Sequence, residues 1–273
     1  MVKHPEWDVA VVAHRGQVAG YPENTVAACQ GSMAAGFSAI EVDLRATADG
    51  EIVIMHDETV DRTTSGSGEV GEMTFAEIRS LDAGGHVHPR FAGQQVPTYQ
   101  EVLDALRGSG TKLVIDIKPG ATLDNERVVR LTERCGAVLD VLVGPRSVDD
   151  LRDFKRLNPN LRVLGLVPGP EFEPPDVAAI EEFAAAGADL IRLWPPWIFT
   201  DRDREPGAGR SPIIERLHGL GKPVWTTADT LYRDIDPDHP REDLRELIRL
   251  GVNGIITDVP ELCREVVAEG AAF

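Results

Sequence analysis

Cysteine is scarce in this 273-residue chain, with three in all. Cys29, Cys135 and Cys263 are odd in number, far apart and each set in a helix-like pattern, so they offer neither a disulfide framework nor zinc-ligand spacing. Reduced core thiols in an intracellular protein are the simplest account. Long apolar runs are missing as well. No stretch reaches the roughly 18 apolar residues that a membrane span needs, and "MVKHPEWDVAVVAHRG" has no apolar segment behind a basic end. These absences point to a cytoplasmic protein. Positive charge is in deficit, with 28 Lys and Arg against 45 Asp and Glu, a formal net charge of −17. Such a field repels nucleic acid and anionic lipid, which excludes polyanionic partners and stable membrane association and leaves small molecules. The pattern specifies no oligomeric state. No glycine-rich dinucleotide fingerprint follows the first apolar run, and no nucleophilic Ser or Cys motif is present.

Hydrophobic residues make up 42% of the chain, enough for a sizeable core. Nine short Val- and Ile-rich runs read as buried strands: "VAVVA" (9–13), "AIEVDL" (39–44), "IVIM" (52–55), "KLVIDI" (112–117), "VLDVLV" (138–143), "RVLGLV" (162–167), "DLIRLW" (189–194), "PVWTT" (223–227) and "GIIT" (254–257). Amphipathic stretches of helical length lie between most of them. "NTVAACQGSMAAG" has Asn24 as its expected N-cap, and "PREDLRELIRLG" closes at Gly251. Alternating strands and helices over about 250 residues predict an irregular (β/α)8 TIM barrel forming a single domain, residues 1–273. Nine strands compete for eight places, and the segment from Asp43 to His56 is too short for a crossover helix, so the irregularity is expected there. The alternation breaks between Asp57 and Pro97, where "TTSGSG" and "TFAEIRSLDAG" predict a small inserted subdomain, approximately 57–97, with one helix.

Glu41 and Asp43 are two residues apart, so an extended strand projects both from one face while Ile40, Val42 and Leu44 project from the other. Two anions held together in a barrel end call for a cation, and a hard divalent ion fits; a solvent-facing pair is the alternative reading. "KLVIDIKP" repeats the spacing with Asp116 and Lys118, either as a third metal carboxylate with a phosphate-binding lysine or as a buried ion pair. His14 and His56 end the "VAVVA" and "IVIM" runs, which places both at a barrel's carboxyl-terminal rim, where proton-transfer groups collect. Arg15 supplies a forked cationic donor for an oxyanion. His4, His218 and His239 read as solvated, and His86 and His88 as loop residues rather than metal ligands. Together the groups describe metal-assisted hydrolysis of a phosphate ester with two histidines as acid and base.

These residues resemble the glycerophosphodiester phosphodiesterases of the phosphatidylinositol phospholipase C-like superfamily, through "AHRG…PENT", "AIEVDLRATADGEIVIMHDETVDRTTSGSG", "LDAG…F…VPTYQEVL", "IDIKP", "VWTTAD" and "GVNGIITDVPE". The resemblance covers residues 9–119 and 222–262, about half the chain. It implies an irregular (β/α)8 barrel with an insertion after the "HD" strand, and release of glycerol 3-phosphate and an alcohol from small glycerophosphodiesters. It further implies His14 and His56 as general acid and base, and Glu41, Asp43 and Asp116 as ligands of one divalent ion, Mg²⁺ or Ca²⁺. Arg15 and Lys118 fall at its phosphate contacts, and Trp225 at an aromatic beside substrate, with a barrel-core Trp as the other reading. Glu23 is expected to orient His14 or Arg15. Asp116 departs from the family's usual glutamate, which implies either a shifted ion or a bridging water. An aspartate there also resembles phospholipase D-like relatives acting on lysophospholipid or sphingolipid; a catalytically silent barrel binding a phosphorylated ligand is the non-enzymatic alternative.

Overall fold

The computed structural model describes residues 9–16, 20–120, 123–168, 176–199, 211–230 and 235–270. His4 lies outside them. All nine expected strands form: β1 (Ala10–Ala13), β2 (Ala39–Ala46), β3 (Ile52–Ile54), β4 (Lys112–Ile117), β5 (Val141–Gly144), β6 (Arg162–Leu166), β7 (Leu190–Leu193), β8 (Val224–Thr227) and β9 (Gly254–Thr257). Eight of them are the strands of a closed parallel (β/α)8 barrel, and the surplus strand is β3. A five-residue connection cannot house a crossover helix, so β3 can only fold back on β2, and it pairs antiparallel with Leu44 opposite Ile54 and Ala46 opposite Ile52.

The chain groups into two compact units, one comprising Ala13–Gly144 and Asp153–Arg162, the other Met1–Val12, Pro145–Arg152 and Val163–Phe273. In the first, β2 pairs in parallel with β4, and β4 with β5. Both faces of β2 are buried, with the apolar Ile40, Val42 and Leu44 on one and the charged Glu41, Asp43 and Arg45 on the other. β5 begins at Val141 rather than 138, because Ala137–Asp140 forms a turn that leaves Leu139 78% exposed. In the second unit β6, β7, β8 and β9 pair in parallel in chain order. Its helix Pro240–Leu250 ends as expected at Gly251, whose φ of 107° meets the left-handed C-cap that glycine favours.

The stretch from Asp57 to Pro97 contributes one short α-helix, Phe75–Arg79, started by a reciprocal capping box between Thr74 and Glu77. Val60, Val70, Ile78, Ala83 and Val96 pack there against Val53 and Met55, so the stretch is anchored to β3 by its own apolar cluster.

β1 runs into a 3-10 turn, His14–Gly16, that lies close against helix Val26–Ala34. The N-cap of that helix is Thr25, not Asn24: the Thr25 hydroxyl accepts the Ala28 N–H at 3.1 Å and donates to the Pro22 carbonyl at 2.8 Å. Gly16 has φ +68°, and a Cβ there would sit 3.1 Å from the Cys29 nitrogen and 3.2 Å from the Ala28 carbonyl carbon. Gly16→Ala is therefore expected to lower stability by about 1–3 kcal/mol in urea unfolding, with both the backbone conformation and the contact opposing the methyl.

Candidate active site

The site is built within one unit, from β2, β4 and the segments that follow β1 and β3. The two-residue period of β2 sets Glu41, Asp43 and Arg45 on one face. Parallel pairing puts Asp43 directly beside Asp116 of β4. Glu41, Asp43 and Asp116 are all buried, and one oxygen from each lies within 4.8 Å of the others. The Lys118 ammonium reaches into the same group, 2.7 Å from Asp43 Oδ1 and 2.9 Å from Asp116 Oδ2. The Asp116–Lys118 ion pair is therefore formed, and the Asp116 carboxylate lies within the acidic cluster as well.

The turn after β1 brings in His14 and Arg15. Arg15 adopts φ 54°, ψ 27°, a left-handed conformation uncommon for a side chain of its size. Its surroundings hold it there: the backbone N–H donates to Glu41 Oε2 at 3.0 Å, and its carbonyl accepts the Asn24 N–H at 2.8 Å. Arg15 Nη1 donates to Glu23 Oε1 at 2.8 Å, and Nε lies 3.6 Å from Asp43 Oδ2. Glu23 therefore orients Arg15. His14 Nε2 is 3.7 Å from Glu41 Oε2. Asn24, also left-handed at φ 55°, donates from Nδ2 to Asp43 Oδ2 at 2.7 Å and accepts the Asp43 N–H on Oδ1 at 3.3 Å.

His56 arrives by a route the sequence pattern did not anticipate. Its strand runs antiparallel, so His56 reaches the site by a return toward Asp43, whose carbonyl accepts the Met55 N–H at 3.0 Å. Arg45 fastens this return, donating from Nε and Nη2 to the His56 carbonyl at 3.0 and 2.9 Å. His56 Nδ1 lies 2.7 Å from Asp57 Oδ1. Burial acts to raise Asp57, but hydrogen bonds from Arg62 and His56 outweigh it and hold the carboxyl at about 2. An ionised carboxylate only accepts, so Nδ1 carries the proton and Nε2 is the basic nitrogen when the ring is neutral. Burial lowers the His56 pKa, which favours that neutral form.

Burial, then repulsion from Asp43, pushes Glu41 up to about 8, against the attraction of His14. Burial opposes ionisation of Asp43 too, yet Lys118 and Arg15 hold it well below the usual range. Burial is thus the main cause that holds the Glu41 carboxyl above its ordinary range. Three buried carboxylate oxygens in mutual reach form a hard donor set that suits a divalent ion such as Mg²⁺ or Ca²⁺. The shorter arm of Asp116 does not remove its oxygen from that set. Trp225 lies in the other unit, half-buried on β8 beside Arg192 and Gly254, its indole against the Gly254 backbone.

Asn24, Arg45, Asp57 and Arg62 carry site contacts that sequence reasoning did not assign. Arg45 continues the period of Glu41 and Asp43, and Asp57 adjoins His56, so a signal existed for both. Arg62 lies in the "DRTTSGSG" stretch of the resemblance, but nothing in the sequence pairs it with Glu23, 39 residues away. Elsewhere His86, His88 and His239 are exposed as expected, whereas His218 is half-buried and its Nε2 meets Asn253 Oδ1 at 2.8 Å.

A family model described as "Glycerophosphoryl diester phosphodiesterase family" matches residues 14–262. The chain belongs to this family. It is a phosphodiesterase enzyme, and its buried Glu/Asp/Asp set sits in a family fold. A glycerophosphodiester phosphodiesterase from Caldanaerobacter subterraneus subsp. tengcongensis is 32% identical over 265 residues, covering 95% of this chain and 98% of that protein. The crystal structure of a glycerophosphodiester phosphodiesterase from Agrobacterium tumefaciens is similar at 30% identity and TM-score 0.73, over 94% of this chain and 99% of that one. An Oleispira antarctica phosphodiesterase, solved in complex with the product sn-glycerol-3-phosphate, shares the fold at 22% identity and TM-score 0.76, over 95% of this chain and 96% of its own. No described helix is long and apolar enough to cross a membrane.

In this phosphodiesterase, Lys118→Met is expected to leave Asp43 and Asp116 buried side by side without their ammonium and to cost about 3–5 kcal/mol in urea unfolding with chelator present. Added Mg²⁺ or Ca²⁺ should recover part of that loss. Asp57, whose folded pKa is depressed from 3.8 to about 2, contributes stability that is present above about pH 4 and lost as pH falls through 2. Asp57→Asn should flatten that segment of the stability-versus-pH curve.

Proposed function

We propose that this chain hydrolyses small glycerophosphodiesters to sn-glycerol 3-phosphate and an alcohol, with one divalent ion, His14 and His56 as the acid/base pair, and Arg15 and Lys118 on the phosphoryl oxygens. The observation that carries this reading is the convergence of Glu41, Asp43, Asp116, Lys118, Arg15 and His14 in one buried cluster inside a chain of this family. Glu41, Asp43 and Asp116 would hold the ion, which when bound supplies positive charge for the phosphoryl oxygens.

The chain's own residues account for the remaining requirements. Arg15, locked by Glu23, offers a preorganised guanidinium, so no reorganisation is needed as charge develops on phosphorus-bound oxygen. Lys118 adds a second positive charge beside the acids. One histidine takes the proton of the attacking hydroxyl, either the glycerol hydroxyl next to the ester or water, and the other protonates the departing alcohol oxygen. Attack by the glycerol hydroxyl leaves a cyclic phosphate that a water then opens; attack by water yields glycerol 3-phosphate directly. Trp225 would supply an apolar face to the substrate. The net charge of −17 supports a cytoplasmic enzyme acting on small dissolved diesters rather than on anionic membranes. The Asp57–Pro97 stretch is proposed as an inserted subdomain within a single 1–273 barrel domain.

Glycerol 3-phosphate release from glycerophosphocholine and glycerophosphoethanolamine should be readily measurable, abolished by chelator and restored by Mg²⁺ or Ca²⁺. His14→Ala and His56→Ala should each lower kcat by about 100-fold or more. Undetectable or chelator-insensitive turnover by the wild type would falsify this reading. Preferential cleavage of lysophospholipid in the same assay would favour the phospholipase D-like alternative instead. Anomalous scattering from metal-soaked crystals should place one ion among Glu41, Asp43 and Asp116, and identify it.

A further inference from the structure

Arg62 lies in the Asp57–Pro97 stretch and is nearly half exposed, with a side-chain exposure of 44%. An ion pair with that exposure ordinarily contributes little. Its geometry sets this one apart. Nε and Nη2 donate to the two oxygens of Asp57 at 2.7 and 3.1 Å, and Nη1 and Nη2 donate to the two oxygens of Glu23 at 2.7 and 2.8 Å. One planar guanidinium thus makes two forked carboxylate contacts at once, to residues 5 and 39 positions away.

Each carboxylate also shares an oxygen with a site residue. Glu23 Oε1 takes Arg15 Nη1 at 2.8 Å, and Asp57 Oδ1 meets His56 Nδ1 at 2.7 Å. The result is a chain of alternating charge, Arg15–Glu23–Arg62–Asp57–His56, in which Arg62 joins Glu23 of the segment after β1 to Asp57 beside His56. Glu23 is 10% exposed at its side chain, so losing the fork from Arg62 would leave this buried carboxylate with fewer donors and pull on Arg15. Lysine could not replace the fork, because a single ammonium cannot meet four oxygens in two planes.

We propose that Arg62 is a positioning residue that fixes the spacing between the anion-binding Arg15 and the imidazole of His56. It acts through Glu23 and Asp57 and touches no substrate. The inference rests on the acid/base and phosphate roles proposed above for His56 and Arg15, and the tests separate the two.

In the full-length chain with glycerophosphocholine as substrate, Arg62→Ala and Arg62→Lys should each lower kcat by about 10- to 100-fold, the range expected when groups that orient a reacting side chain are removed, with KM within about 3-fold of wild type. Millimolar guanidinium should restore a several-fold part of the Arg62→Ala loss, and methylammonium should not. In a Glu23→Gln/Asp57→Asn background, Arg62→Ala should add almost nothing, since its two intermediaries are already disconnected. Arg79→Ala serves as control: it removes a comparable forked pair with Glu101 in the same stretch and should leave kcat unchanged.

A readout independent of turnover is the His56 Nδ1–H signal in imidazole ¹H–¹⁵N spectra, assigned by its disappearance in His56→Gln. Arg62→Ala should broaden it by exchange with water, and guanidinium should sharpen it again. Wild-type kcat and an unchanged Nδ1–H signal in the Arg62 variants would overturn the positioning role while leaving the hydrolase reading intact. So would an Arg62 effect of full size in the doubly neutralised background. An inactive wild type whose Nδ1–H signal still depends on Arg62 would overturn the hydrolase reading and keep the coupling.

Discussion

Three carboxylates buried together govern this molecule. Asp43 beside Asp116, with Glu41 two residues back on the same strand face, is an arrangement that several kcal/mol of desolvation per ion would drive apart if it stood unaided. Everything around the cluster is a response to that cost. Lys118 bridges two of the acids, Asn24 hydrogen-bonds the side chain and backbone of Asp43, and the Arg15 backbone N–H meets Glu41. Burial, with repulsion from Asp43, still holds Glu41 above its ordinary range. Three carboxylate oxygens in mutual reach, held by paired strands, form a hard donor set that a divalent cation would suit.

Strain and rigidity are concentrated at the same place. Arg15 and Asn24 both take left-handed backbone conformations, and each is held by hydrogen bonds to the other's segment or to the acids. Gly16 completes the turn because no side chain fits between it and the helix behind. The functional segment after β1 therefore depends on contacts from β2 rather than on its own propensity. The hairpin has a parallel logic: Arg45 grips the His56 carbonyl while Asp57 and Arg62 secure its ring from the other side.

Position 116, where the resemblance implied a glutamate, holds an aspartate. A shorter side chain on β4 keeps an oxygen within 4.8 Å of Glu41 and Asp43 because strand pairing, not side-chain length, sets the distance. Lys118 stays on the same strand face and follows Asp116 with it.

Much of this was legible in the amino-acid sequence by itself, wherever the physics is local. Period-two alternation placed Glu41 with Asp43 and Asp116 with Lys118, apolar runs located all nine strands, and the five residues between β2 and β3 ruled out a crossover. Other features depended on partners distant in the chain. Asn24 looks like a helix N-cap because capping propensity is read from neighbours, yet Asp43 claims its side chain and Thr25 caps the helix instead. His56 looks as though it ends a parallel strand until the reversal of β3 is known. Arg62 falls inside a stretch that carries the family resemblance, but its pairing with Glu23, 39 residues away, is set only by folding. Composition and periodicity determined which residues could be buried and on which face. Tertiary structure decided which charges meet, because an ion pair is defined by distance in space and a chain pattern records only distance along the strand.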